Sequence, residues 1–208
     1  PPESLVIMVN TDSGAVASAT VQGDGSFQAS LYAMLGDELL VVIQDAGGRQ
    51  TVVSAGAYVG PDGKTVLTSG GGTLSAPGGA GTLTVAPRAV NMPTVVRLAT
   101  VEALDVPIPS DYQVLGGLSV QSERVLASSA KLTLPIPAGA SVDPQARPFL
   151  ARRQVLAGET LLVMADSLRV LNGELVTSSP PFDGIRDTGD YFALSPPVPV
   201  PALLTGTV

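Results

Sequence analysis

Four Asx-Gly pairs punctuate the chain, at Asp24-Gly25, Asp62-Gly63, Asn172-Gly173 and Asp183-Gly184. Glycine takes positive φ cheaply and Asn or Asp tolerates it, so each pair favours a tight turn. Between such turns, short runs alternate apolar and polar residues. In 131–136, KLTLPI, Leu132, Leu134 and Ile136 share one face while Lys131 and Thr133 take the other. Alternation of period two marks half-buried strands. Comparable strand-like runs lie at 5–9, 15–21, 27–31, 38–44, 50–53, 82–85, 94–98, 117–120, 161–165 and 189–194. No segment carries a sustained helical stripe, and 109–118 and 122–129 allow a turn of helix at most. The expected fold class is all-β, in tandem β-sandwich domains.

Apolar residues make up 45% of 208 residues, enough for ordered cores. The 23 Gly and 18 Pro fit many turns rather than long helices. Gly and Ser dominate 55–81, which places a boundary there: a first sandwich over 1–56 and a larger one over 57–194. The glycine stretches SGGGTL and PGGAGTL read as a flexible lead-in to a strand. A phosphate loop would need Lys after the last glycine, and none follows. From Ser195 the chain is proline-rich, so 195–208 reads as a semi-rigid linker ending in LLTGTV, a strand for a following domain or for another copy. The first unit is short for a sandwich, leaving room for a strand supplied by a preceding segment. The opening PPESLVIMVN and the closing LLTGTV both read as cuts from a longer polypeptide.

Several functions are excluded by residue type. With no Cys and no His, zinc sites of the thiolate or imidazole kind and Ser-His-Asp or Cys-His catalysis lack their groups. A net charge of −7 opposes nucleic-acid binding, which needs clustered cations; only Arg152 and Arg153 are adjacent. Residues 65–87 are uncharged, but their glycine and Pro77 rule out a membrane span.

Two resemblances emerge from particular motifs. Residues 5–53 resemble bacterial immunoglobulin-like repeats, through DGSF followed by GDELLVVIQDAGGR. Residues 65–194 resemble a ZU-type domain, the zonula-occludens and uncoordinated type. GTLTVAPRAVNMPTVVRLATV, GGLSVQSE, AKLTLPIPAGA and SPPFDGIRDTGDYFAL carry that likeness. The closing TGTV is similar to the first strand of a carboxypeptidase-regulatory-like repeat. These resemblances imply a structural or adhesive segment of a large bacterial protein, extracellular or on the cell surface. Some ZU-type relatives cleave themselves at a His-Phe-Ser site, and a chain without His lacks that activity. The implied partners are neighbouring domains of the same protein or other copies of the chain. A protein or glycan ligand and a filament assembled by strand exchange are the alternatives.

Two acidic groups are the candidate sites. Asp24, Asp37, Glu38 and Asp45 surround apolar runs, and Asp183, Asp187 and Asp190 lie near Arg186. Hard cations want several carboxylate oxygens, so Asp24, Asp37, Asp45, Asp183, Asp187 and Asp190 are the residues a calcium ion would use. Turn chemistry competes: Asp24 precedes Gly25 and Asp45 precedes Ala46-Gly47-Gly48, and the spacing matches no EF-hand loop. Asp183 and Asp187 would pair with Arg186, and Arg152 and Arg153 would face solvent or meet Asp143 or Glu159. Architecture is the favoured reading of both groups, with no catalytic residue, no cofactor and calcium as the one ion to test. Paired carboxylates can hydrolyse glycosides, but 4 Tyr, 4 Phe and no Trp leave few platforms for sugar rings.

Overall fold

The computed structural model describes residues 4–198 apart from positions 102, 141, 144 and 181. The strand expected in the closing LLTGTV lies outside the described residues. The described residues form strands joined by turns, with one short 3-10 turn at Pro77–Gly79 and no α-helix. Every strand pairing is antiparallel. The fold is therefore all-β. No helix among the described residues is long and apolar enough to cross a membrane.

The first unit is one sheet of β1 (Leu5–Asn10), β2 (Val16–Thr20), β3 (Glu38–Gln44) and β4 (Gln50–Ala57), ordered β2-β1-β3-β4. LVIMVN is thus an inner strand, with Met8 opposite both Ala17 and Val41. It is not an open end that might complete a neighbouring sheet. The strand expected at 27–31 does not form; residues 26–34 run as irregular chain. Both edges of β1 are taken, and Phe27, Tyr32 and Met34 remain exposed. This irregular segment is tied to the end of β1, where the buried Asn10 donates from Nδ2 to the Tyr32 carbonyl at 3.2 Å. Among the described residues the first unit is one four-stranded antiparallel sheet.

The second unit contains β5 (Lys64–Leu67), β6 (Gly72–Ser75), β7 (Thr82–Val85), β8 (Thr94–Thr100), β9 (Gln113–Ser122), β10 (Lys131–Pro135), β11 (Phe149–Leu156), β12 (Glu159–Leu171), β13 (Glu174–Thr177) and β14 (Gly189–Ser195). One continuous ladder orders them β5-β8-β9-β14-β11-β12-β13-β10-β7-β6. The 13-residue β12 makes the corner: residues 159–167 pair with β11, and 168–171 with β13. The ladder folds over there into two layers. Leu98, Leu115 and Leu118 of one layer share a core with Leu74, Leu83, Leu132, Leu134 and Leu175 of the other. Leu132 and Leu134 are buried and Lys131 is exposed, as the alternation requires. The outermost strands, β5 and β6, are consecutive in the chain and joined by a bridge between Thr68 and Gly71. The layers are thus covalently linked at both edges.

The Gly/Ser-rich stretch is where sequence and structure differ most. It holds β5 and β6, and Leu67 and Leu74 are fully buried. Two of its glycines serve close approach. At Gly63 (φ 77°) a Cβ would lie 2.0 Å from the Leu98 carbonyl oxygen, and at Gly71 (φ 74°) 2.4 Å from that of Val85.

The first sheet meets the second unit at its β5–β6 edge. A Cβ on Gly36 (φ 91°) would lie 2.5 Å from the Val66 carbonyl oxygen, so only glycine lets the backbones approach this closely. Gly56 (φ 77°), at the bulge of the β3–β4 pair, lies against the Thr73 carbonyl. The linking Tyr58 is held from both sides. Its N–H donates to the Asp37 carbonyl (2.8 Å), and its carbonyl accepts from Gly36 N–H (3.1 Å) and from the Thr65 hydroxyl (2.6 Å).

Candidate functional site

Asp24, Asp37 and Asp45 each serve the backbone nearby. Asp24 accepts from the Ser26 hydroxyl at 2.7 Å and from its N–H at 2.9 Å. Those bonds hold its carboxyl below the usual carboxylate range. Asp45 closes the β3–β4 turn, accepting from the N–H groups of Gly47 and Arg49 at 2.9 Å each and pairing with Arg49 Nε at 2.8 Å. The Arg49 N–H bond is the main cause of its lowered pKa. Asp37 accepts from Asn10 Nδ2 at 2.7 Å and from Met34 N–H at 2.8 Å.

Asp37 and Asp45 flank β3 at opposite ends. At about 3.3 Å per residue that separates them by roughly 25 Å, too far to share an ion. Asp24 lies in the turn after β2. Glu38 opens β3, and its N–H donates to Asp12 Oδ2 at 2.6 Å. Sequence reading passed over Asn10 and Asp12, which join Asp37 in organising the β1–β2 turn. Asn10 Oδ1 also accepts from the N–H groups of Asp12 and Ser13 at 3.0 Å each.

The second acidic group is split across the sandwich. Asp187 pairs with Arg152 at 2.8 Å, and Asp190 pairs with Arg153, whose Nη1 also meets Asp105 at 3.0 Å. These partners replace the expected ones. Arg186 instead donates to the Leu126 carbonyl, and among the described residues neither Asp143 nor Glu159 pairs with an arginine. Successive side chains of β11 point to opposite faces, so the two arginines carry Asp187 and Asp190 to opposite sides of the sheet. Asp183 is bonded through its carbonyl, which accepts from the Ser129 hydroxyl, rather than through its carboxylate. Among the described residues no three acids converge on one point.

Tyr191 is fully buried, and its hydroxyl donates to the Asp187 carbonyl at 3.0 Å. Burial first, and the Asp187 charge second, push its ionisation well above the ordinary phenol range. Asp166, inside the apolar run of β12, is another buried acid. Its Oδ2 accepts from the Ser179 hydroxyl (2.6 Å) and N–H (3.2 Å), while Oδ1 has no partner among the described residues. Its signal in the sequence was a lone acid in LLVMADSLRVL.

Two surface features remain open among the described residues. One is an open cleft of about 780 Å³ beside the β12 corner, walled by Phe149, Met164, Leu168 and Phe182 with Arg147 and Arg169 at its border. Among the described residues Asp143 is the one carboxylate lining it. The other is the outer edge of β2, whose only strand partner among the described residues is β1. Val16, Ser18 and Thr20 are exposed there, and the strand carries no charge, no proline and no bulge.

No protein-family model matches the chain, and no curated protein matches it either.

Proposed function

We propose that this chain is a structural segment of a large extracellular bacterial surface protein, and that it spaces or displays the domains on either side of it. The observation that carries this reading is the junction between the two units. Gly36, Gly56 and the doubly held Tyr58 seat the end of the first sheet against the β5–β6 edge, which fixes a spacing instead of leaving a flexible joint. The use of the acids supports the same reading, because Asp24, Asp37, Asp45, Asp187 and Asp190 are spent on turns and ion pairs. The immunoglobulin-like and ZU-type resemblances add the extracellular setting. An antibody raised against the chain should label intact source cells. Labelling only after permeabilisation would contradict the surface location.

A second reading, a module that binds a protein or glycan, draws on the cleft beside β12. Its apolar wall and bordering arginines suit an apolar ligand bearing an anionic group. Binding lost on substitution of Arg147 and Arg169 would favour it, and a glycan array would test sugars directly.

A further inference from the structure

We infer that the open edge of β2 is a self-pairing surface, whose partner is β2 of a second copy running antiparallel about a two-fold axis. The inference does not rest on the spacing role, since a spacer can be monomeric.

The β1–β2 ladder fixes which backbone groups are free. Asn10 N–H donates to the Ala15 carbonyl and Val21 N–H to the Ser4 carbonyl, at 2.9 Å each. Hydrogen-bonded and non-hydrogen-bonded pairs alternate along an antiparallel ladder. In the observed register Ala15, Ala17, Ala19 and Val21 therefore turn their N–H and C=O toward β1. Val16, Ser18 and Thr20 turn theirs outward. An unprotected row of this kind is a template for another strand.

The free positions are symmetric about Ser18. An antiparallel copy centred there places Ser18 opposite Ser18, and Val16 opposite Thr20 twice. All are hydrogen-bonded pairs, so the three exchange six N–H···O=C bonds and leave no outward donor or acceptor of β2 unused. The facing side chains suit each other: two small hydroxyls at the centre, and a β-branched pair on either side. No charge lies on the strand to oppose the pairing. Asp12 and Asp24 flank it, and the same register brings Asp12 of one copy toward Asp24 of the other, so screening by salt favours association. A five-residue strand pair is small beside a stable interface of about 1,200–2,000 Å². Isolated copies therefore pair weakly, whereas copies held together by tethering or in an array gain from a high effective concentration.

The absence of cysteine makes the register directly readable. In a hydrogen-bonded antiparallel pair the Cα atoms lie about 5.5 Å apart, within disulfide range. At high ionic strength under mild oxidation, Ser18→Cys should cross-link at least about tenfold faster than Thr84→Cys, an exposed control on β7, which is paired on both sides. Val16→Cys and Thr20→Cys should each cross-link at the control rate alone and rapidly when mixed. Circular dichroism melts of each variant establish that it is folded. Equal rates for Ser18→Cys and Thr84→Cys, or a Val16→Cys and Thr20→Cys mixture no faster than either alone, would overturn the inference.

Discussion

Tyr191 shows how a single side chain reports on the core. It is the largest fully buried side chain, and its raised ionisation means that the fold favours the neutral phenol. The unfolded chain releases that proton near pH 10, while the folded chain resists. This contribution to stability is complete below about pH 10 and is lost as pH rises further. The melting temperature should therefore fall above that point, and Tyr191→Phe should flatten this part of the profile. Ala157 gives a second residue-scale prediction. It takes φ 51° beside Gly158 (φ 86°) in the β11–β12 hairpin, where L-residues other than Asn and Asp are strained. Ala157→Asn should stabilise by up to about 1 kcal/mol, read from denaturant midpoints. The Asn172-Gly173 hairpin already has that chemistry, with φ 52° and 81°. Such turns were legible because an Asx-Gly pair acts within a few residues. The partners of Arg152 and Arg153 were not: Asp187 and Asp190 lie more than thirty positions along the chain, and only the β11–β14 pairing brings them together.

Among elements, strands with clean alternation were readable, and those whose signal was masked by glycine were not. The 131–135 strand follows from side chains that sort to two faces, and the 38–44 strand from an unbroken apolar run of strand length. Strands β5 and β6 did not, because Gly63 and Gly71 bring backbones together where a side chain would clash, and the same glycines look like flexible linker in one dimension. The segment at 27–31 erred the other way. It has the local look of a strand, but it runs as irregular chain, held by Asn10 Nδ2 at the Tyr32 carbonyl rather than by a ladder. Two glycine substitutions separate close approach from turn conformation. Gly158→Ala meets no atom within 4 Å and should cost about 1–2 kcal/mol for positive φ alone. Gly63→Ala must also displace the Leu98 carbonyl, so it should cost at least about 3 kcal/mol by urea unfolding. Leu134→Ala, which opens a hole between the layers, should cost about 2–5 kcal/mol.

At the scale of the molecule, metal removal and tumbling test what the parts do together. Asp37 and Asp45 lie at opposite ends of one strand, and Asp187 and Asp190 on opposite faces of a sheet, so a chelator should leave the melting temperature nearly unchanged. A bound ion at a hundredfold excess over its dissociation constant would contribute about 2.7 kcal/mol, and its removal would be plain in the melt. The acids were conspicuous in the sequence, but their placement depends on strand order, which single-chain patterning does not reveal. The central claim is that the two units are docked at fixed spacing through Gly36, Gly56 and Tyr58. Backbone ¹⁵N relaxation on the intact chain tests it most directly. The account predicts one rotational correlation time for strands β1–β4 and β5–β14. Faster tumbling of the four-stranded sheet than of the sandwich would contradict it.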